Sequence, residues 1–317
     1  MSKLNENDII KIFQKKIGDK QFVSEDVETF KVGKTTFVAK TDTLVESTDI
    51  PAKMKIHFAA RKSVVACVSD FASKGVKPLF GIVSVTIPKK FSKKKIEDIA
   101  NGLGQASREF GFRILGGDTN EGKELVIQVS IFGVTDKIIP RRGAKVGDLI
   151  FTSGPFGYTA AGLMILQNQK RYSKKFSDKA LNSFLKPRPK MRFGLSNRNN
   201  CSSSMDSSDG LAITLHEMSK QSSKRFNITS LPANQDLVDF AKKHSVNLLD
   251  LIFKGGEEYE IVFTAPQKNR QKIMRLAKMQ NIPLKEIGYI SKGKGVVYHK
   301  EKKSIKIKNI GWRHFSK

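Results

Sequence analysis

Between Thr35 and Thr135 the chain alternates strand-like and helix-like runs, and after Leu149 the alternation starts again. Thr35 to Lys40 reads as a strand that delivers Thr41-Asp42-Thr43 at its end. Residues 61–74 carry Val64, Val65, Val68, Phe71 and Ala72 at helical spacing, with Gly75 and Pro78 as stops. Leu79–Thr86 is a strand, Ser92–Phe110 a helix with Ser92 as its N-cap, and Arg113–Leu115 a short strand. From Glu124 to Thr135, the residues Leu125, Ile127, Val129 and Ile131 alternate on one face, the period of a strand. Each half of the chain is therefore an α/β or α+β unit.

The turn-rich stretch Pro140–Asp148 divides the halves. A length of 317 residues, at roughly 150 per domain, also suggests two domains, taken here as 1–140 and 141–317. In the second, Leu149–Thr152 is a strand that leads through Gly154 and Gly157 into an Ala-rich helix from Thr159. Met205–Ser219 reads as a helix after a Ser-rich loop, Glu258–Phe263 as a strand, Lys268–Met279 as a helix, and residues 285–308 as short strands. Residues 4–17 form an amphipathic helix.

Several classes are disfavoured. No run approaches the ~18 apolar residues of a membrane span, and Lys3, Glu6 and Asp8 precede any apolar run, so no secretory signal is visible. Two cysteines, Cys67 and Cys201, with no metal-type spacing, argue against a disulfide scaffold and a Cys zinc site, and a reducing cytoplasmic setting is expected. Lysines and arginines number 57 against 30 acids, a net charge of +27. The excess is scattered and lacks a zinc-finger or aromatic RNA-reading pattern, so no specific nucleic acid is expected. There is no G-x-x-x-x-G-K-[ST] loop, and the five histidines form no metal-type pair.

In so basic a chain the acids are informative. Asp42 and Asp118 directly follow strands, Asp118 after two glycines that permit close backbone approach. Asp206 and Asp209, three apart at the expected helix start, could share a face. Gly255-Gly256 precede Glu257-Glu258. Magnesium takes oxygen ligands, usually a few carboxylates with water and substrate phosphates, so two polyphosphate substrates would need several ions and many acids. Read singly, Asp206 or Asp209 is more often a helix N-cap than a ligand, Asp70 could be a polar position on a surface helix and Asp118 a turn residue.

Ordered together, these segments resemble the thiamine-monophosphate kinase family. It belongs to the superfamily of aminoimidazole ribonucleotide synthetase, selenophosphate synthetase and a hydrogenase maturation factor. Thr41–Glu46 is similar to the first metal motif, Val68–Pro78 to the "SDxAAxGAxP" helix and Leu115–Thr119 to the "GGDT" loop. Asp206–Leu211 is similar to "DxSDGL", Gly255–Glu260 to "GGEDYE" and Gly311–Phe315 to the closing "GWxHF". The resemblance implies two α/β domains, a homodimer formed through the N-terminal domains, and direct transfer of the γ-phosphoryl of ATP to thiamine monophosphate with several Mg²⁺. It implies Asp26, Thr41, Asp42, Asp70, Asp118, Asp206 and Asp209 as metal ligands, with Asp118 and Asp209 catalytic. Gly117, Asp118, Arg141 and Ser208 would meet the nucleotide. Asp49, Glu257, Glu258 and Trp312 would meet thiamine, the lone Trp312 offering an aromatic face to a cationic ring or else anchoring the tail in the core.

The chain also departs from the family. Val23-Ser24-Glu25-Asp26 replaces "GIGDD", Asp49 stands where many bacterial members have His, and "GGED" has become Gly-Gly-Glu-Glu. Lys40 precedes "TD" where a Ser is common, and its charge would oppose a metal unless it points away. Another ATP-using member with a different acceptor, or a non-catalytic nucleotide- or polyanion-binding relative, is the alternative.

Overall fold

The computed structural model describes residues 4–17, 24–168 and 172–315; Val23 lies outside them. The first half runs α1 (Glu6–Ile17), β1 (Glu28–Val32), β2 (Thr35–Val45), the one-turn α2 (Glu46–Asp49), α3 (Ile56–Lys74), β3 (Pro78–Pro88), α4 (Lys93–Phe110), β4 (Arg113–Gly122) and β5 (Val126–Thr135). The second begins with β6 (Leu149–Thr152), α5 (Tyr158–Gln167), α6 (Lys174–Leu185), α7 (Met191–Asn197), β7 (Ser203–Ser207), α8 (Leu211–Ser222) and β8 (Arg225–Ile228). It continues through α9 (Gln235–Lys243), α10 (Leu248–Lys254), β9 (Glu260–Ala265), α11 (Arg270–Met279), β10 (Lys285–Ser291), β11 (Gly295–Lys300) and β12 (Lys303–Lys306).

Each half builds its own mixed sheet. The first has the order β1-β2-β5-β3-β4, antiparallel except where β4 lies parallel to β3. The second has the order β12-β11-β8-β10-β6-β9-β7, antiparallel except between β8 and β11. The inner face of the first sheet is the alternation read in β5: Ile127, Val129 and Ile131 are fully buried. Against it lies α3, whose Val64, Val68 and Phe71 share one core with Phe151, Phe193, Ile261 and Phe263 of the second half. Burying such a side chain contributes roughly 1.5–3 kcal/mol, so α3 is clamped between the halves and anything it carries is held firmly. Gly75, in the left-handed region, ends α3 as expected, and Ser92 caps α4 by accepting from the Lys95 amide.

Three elements differ from the sequence reading. Strand β2 does not end at Lys40: unbroken pairing with β5 from Thr36 to Val45 places Thr41-Asp42-Thr43 inside it. Likewise Gly116-Gly117-Asp118-Thr119 is no loop but part of β4, paired with β3, where a Cβ on Gly117 would strike the Val83 carbonyl. Met205–Ser219 is not one helix. Residues Ser203–Ser207 pair with β9, and Gly210, at φ +113°, turns the chain before α8 starts at Leu211. Asp206 and Asp209 therefore share no helical face.

Candidate active site

Three segments distant in sequence deliver carboxylates to one point. Helix α3 brings Asp70, β7 brings Asp206, and the segment before β1 brings Asp26, with one oxygen of each within 4.8 Å of the others. All three are buried. Oxygen-only donors of this kind fit a hard cation such as Mg²⁺.

Buried acids need partners, and here they have them. Asp26 meets Lys74 Nζ at 2.7 Å and receives Arg141 Nε at 2.7 Å. Lys74, one helical turn after Asp70, is itself fully buried and also meets Glu25 at 2.9 Å. Burial alone would raise the Asp26 carboxyl, but Lys74 and Arg141 outweigh it and hold Asp26 below the ordinary carboxylate range. Asp206 accepts from Ser69 Oγ at 2.6 Å, while burial and the Asp26 charge push it up to about 6.

Lys40 does not point away. Its ammonium lies 2.8 Å from Asp70 Oδ2 and 3.8 Å from Asp42 Oδ2. Burial would ease off its proton, but Asp70 and Asp42 more than restore it, so Lys40 stays charged. Asp42 and Lys40, two apart in β2, share the inner face, whereas Thr41 between them points outward and receives hydrogen bonds from Gln128 and Ser130. The Thr41 hydroxyl is thus not brought to the cluster.

A second group forms around the turn after β7. Glu257 N–H donates to the Ser208 carbonyl at 2.5 Å, and Trp312 N–H donates to the Asp209 carbonyl at 3.0 Å. Gly256 and Gly311 permit this approach, since a Cβ on either would press into the turn's backbone. The Asp209 carboxyl is pushed up to about 6 by burial and by Asp206. Glu257, at φ +63°, aims its carboxylate at Lys62 Nζ, 2.5 Å away on α3. Trp312 is no core anchor: the residue is 51% exposed, its backbone N–H is tied to the turn, and its ring meets only the His314 ring edge-on among the described ring contacts.

Other expected residues are placed elsewhere. Glu258 is buried, accepts from Gly157 N–H at 2.6 Å at the start of α5, and lines a cavity with Lys186, Lys190 and Glu260. Asp49 accepts from the Val45 amide at 2.7 Å, steadying its own turn. Arg141 is spent on Asp26 and on Ser24 Oγ at 3.2 Å. Asp118 is exposed on edge strand β4, bonded to Asn120 at 2.7 Å, and does not join the buried three. Sequence reasoning missed Lys74, Lys62 and Ser69. For Lys74 the signal was there: four residues after Asp70, it lies on the same helical face.

Residues 24–135 match the family described as AIR synthase related protein, N-terminal domain, and residues 145–300 its C-terminal domain. The chain is 54% identical to a thiamine-monophosphate kinase of Nitrosopumilus maritimus, covering 99% of this chain and 100% of that one. It is 29% identical to a thiamine-monophosphate kinase of Pyrococcus horikoshii, covering 99% and 97%. A solved structure, AaThiL complexed with AMPPCP and TMP, superposes with a TM-score of 0.88 at 24% identity, covering 99% of this chain and 98% of that one. Together with the order of its acid motifs along two such domains, these likenesses make the chain a member of the thiamine-monophosphate kinase family of enzymes.

Proposed function

We propose that this chain transfers the γ-phosphoryl group of ATP directly onto the phosphate of thiamine monophosphate, giving thiamine diphosphate and ADP. The observation that carries the reading is the buried trio Asp26, Asp70 and Asp206 beside the turn that gathers Asp209, Glu257 and Trp312. The relative solved with a nucleotide analogue and TMP supports both substrates.

Mg²⁺ ions would be held by Asp26, Asp70 and Asp206, flanked by Asp42 and Asp209, and would supply neutralisation of the phosphate charges. The chain's own contribution is position. The clamped α3 fixes Asp70, and the β7–β9 pairing fixes Asp206, so the carboxylates need no rearrangement as charge develops. Trp312, 51% exposed and tied by its backbone to the same turn as Glu257, offers an indole face to the cationic ring of thiamine. The outward face of the first sheet exposes Phe30, Val32, Phe80, Ile82, Leu115 and Val134, which supports a homodimer formed there. No helix among the described residues is long and apolar enough to cross a membrane, and a cytoplasmic enzyme is proposed.

Thermal unfolding tests the reading. A ligand specific for the native state raises apparent stability, so Mg-ATP should raise Tm and thiamine monophosphate should raise it further. Another phosphorylated acceptor raising Tm where thiamine monophosphate does not would overturn the substrate assignment.

A further inference from the structure

The acid cluster carries cations of its own, and one of them stands where an ion would. Lys74 and Arg141 approach Asp26 from the sides and are used up there: Lys74 also bonds Glu25 and the Ser204 carbonyl, and Arg141 also bonds Ser24. Lys40 is different. Its ammonium lies between two carboxylates that belong to different elements, Asp42 on β2 and Asp70 on α3. Two carboxylates converging on one point are what a shared divalent ion uses, and Mg²⁺ requires oxygens at about 2.0–2.1 Å. The Asp70 oxygen facing that point is already hydrogen-bonded to the ammonium at 2.8 Å. An ion and the ammonium cannot both occupy the space, and their like charges repel.

We propose that the Lys40 ammonium takes the place of one divalent cation between Asp42 and Asp70. This chain then holds one ion fewer than the same acids would with a neutral residue at position 40. The inference rests on the metal reading above and concerns only what Lys40 does to it. Its charge is built in, present before any ion arrives, and it pre-aligns Asp70 for the ions that Asp26 and Asp206 help to hold.

The test is a count of bound Mn²⁺, read by the electron paramagnetic resonance of the free ion, with a non-hydrolysable ATP analogue present. The unaltered protein is compared with Lys40→Met, which removes the charge at similar length, with Lys40→Ser, which leaves room, and with Lys40→Arg, which keeps the charge. Lys40→Met and Lys40→Ser are expected to bind one more Mn²⁺ per chain than the unaltered protein, and Lys40→Arg the same number as it. Equal counts above zero in all four would overturn the inference, since Lys40 would then swing aside for the ion, and would leave the metal reading standing. No Mn²⁺ bound by any of the four would overturn both.

Discussion

Asp70 and Asp118 are both implied as metal ligands by the same resemblance, and the fold treats them in opposite ways. Asp70 is buried on a helix clamped from both sides, within reach of two other carboxylates and a lysine. Asp118 lies open to solvent on an edge strand with one amide for company. The buried group has been neutralised in advance: three side-chain cations, Lys40, Lys74 and Arg141, stand among its acids. It is therefore structure as well as site. The exposed acid is free of structural duty. The lesson is that acids from one motif set divide into those the fold depends on and those only a ligand would use.

That division is open to attack, beginning with the largest effect. Asp26→Asn should damage both properties at once. It leaves Lys74 buried without its full partner, and breaking a buried pair costs about 3–5 kcal/mol; denaturant unfolding should show this loss. Turnover should fall about 10²–10³-fold or more, the scale seen when one preorganised charge contact is removed. Asp118→Asn should separate the two properties: turnover should fall severely while Tm stays within a degree or so, as for a surface substitution. Wild-type turnover in Asp118→Asn would confine the chemistry to the buried group.

Trp312→Ala comes next. A cation–aromatic contact is worth about 0.5–2 kcal/mol, so KM for thiamine monophosphate should rise about twofold to thirtyfold with KM for ATP unchanged. A loss of stability instead would restore the anchoring role that the residue's exposure argues against.

The smallest effect concerns pH. Burial pushes the Glu258 carboxyl up to about 7 from an ordinary 4.5. Its folded form keeps a proton that the unfolded chain releases, so its contribution to stability is greatest below pH 4.5 and declines as pH rises to about 7. Glu258→Gln keeps the oxygen that accepts from Gly157 and removes the titration. The variant's Tm should fall less steeply than the unaltered protein's between pH 5 and about 7.

Much of this was legible in the residues. The alternation in β5, the Gly75 stop and the Ser92 cap are local signals and stand as read. The failures are non-local. Strands β2 and β4 run on past their apolar residues because β5 and β3 offer continuous pairing, which no window of β2 or β4 contains. The Ser-rich β7 has no apolar period, and its strand form comes from β9 some sixty residues later in the chain. Lys40 and Lys74 look like surface lysines, and only acids arriving from distant segments make their burial tolerable. The acids themselves stood out because they were scarce. Which of them would meet could not be read before the fold brought Asp26, Asp70 and Asp206 together.

The most direct test is product formation by the purified chain with ATP, Mg²⁺ and thiamine monophosphate, resolved by chromatography and run beside Asp206→Asn. Thiamine diphosphate and ADP are expected in equal amounts from the unaltered protein, and almost none from the variant. Equal product from both would contradict the role given to the buried carboxylates. ADP without thiamine diphosphate would contradict the acceptor.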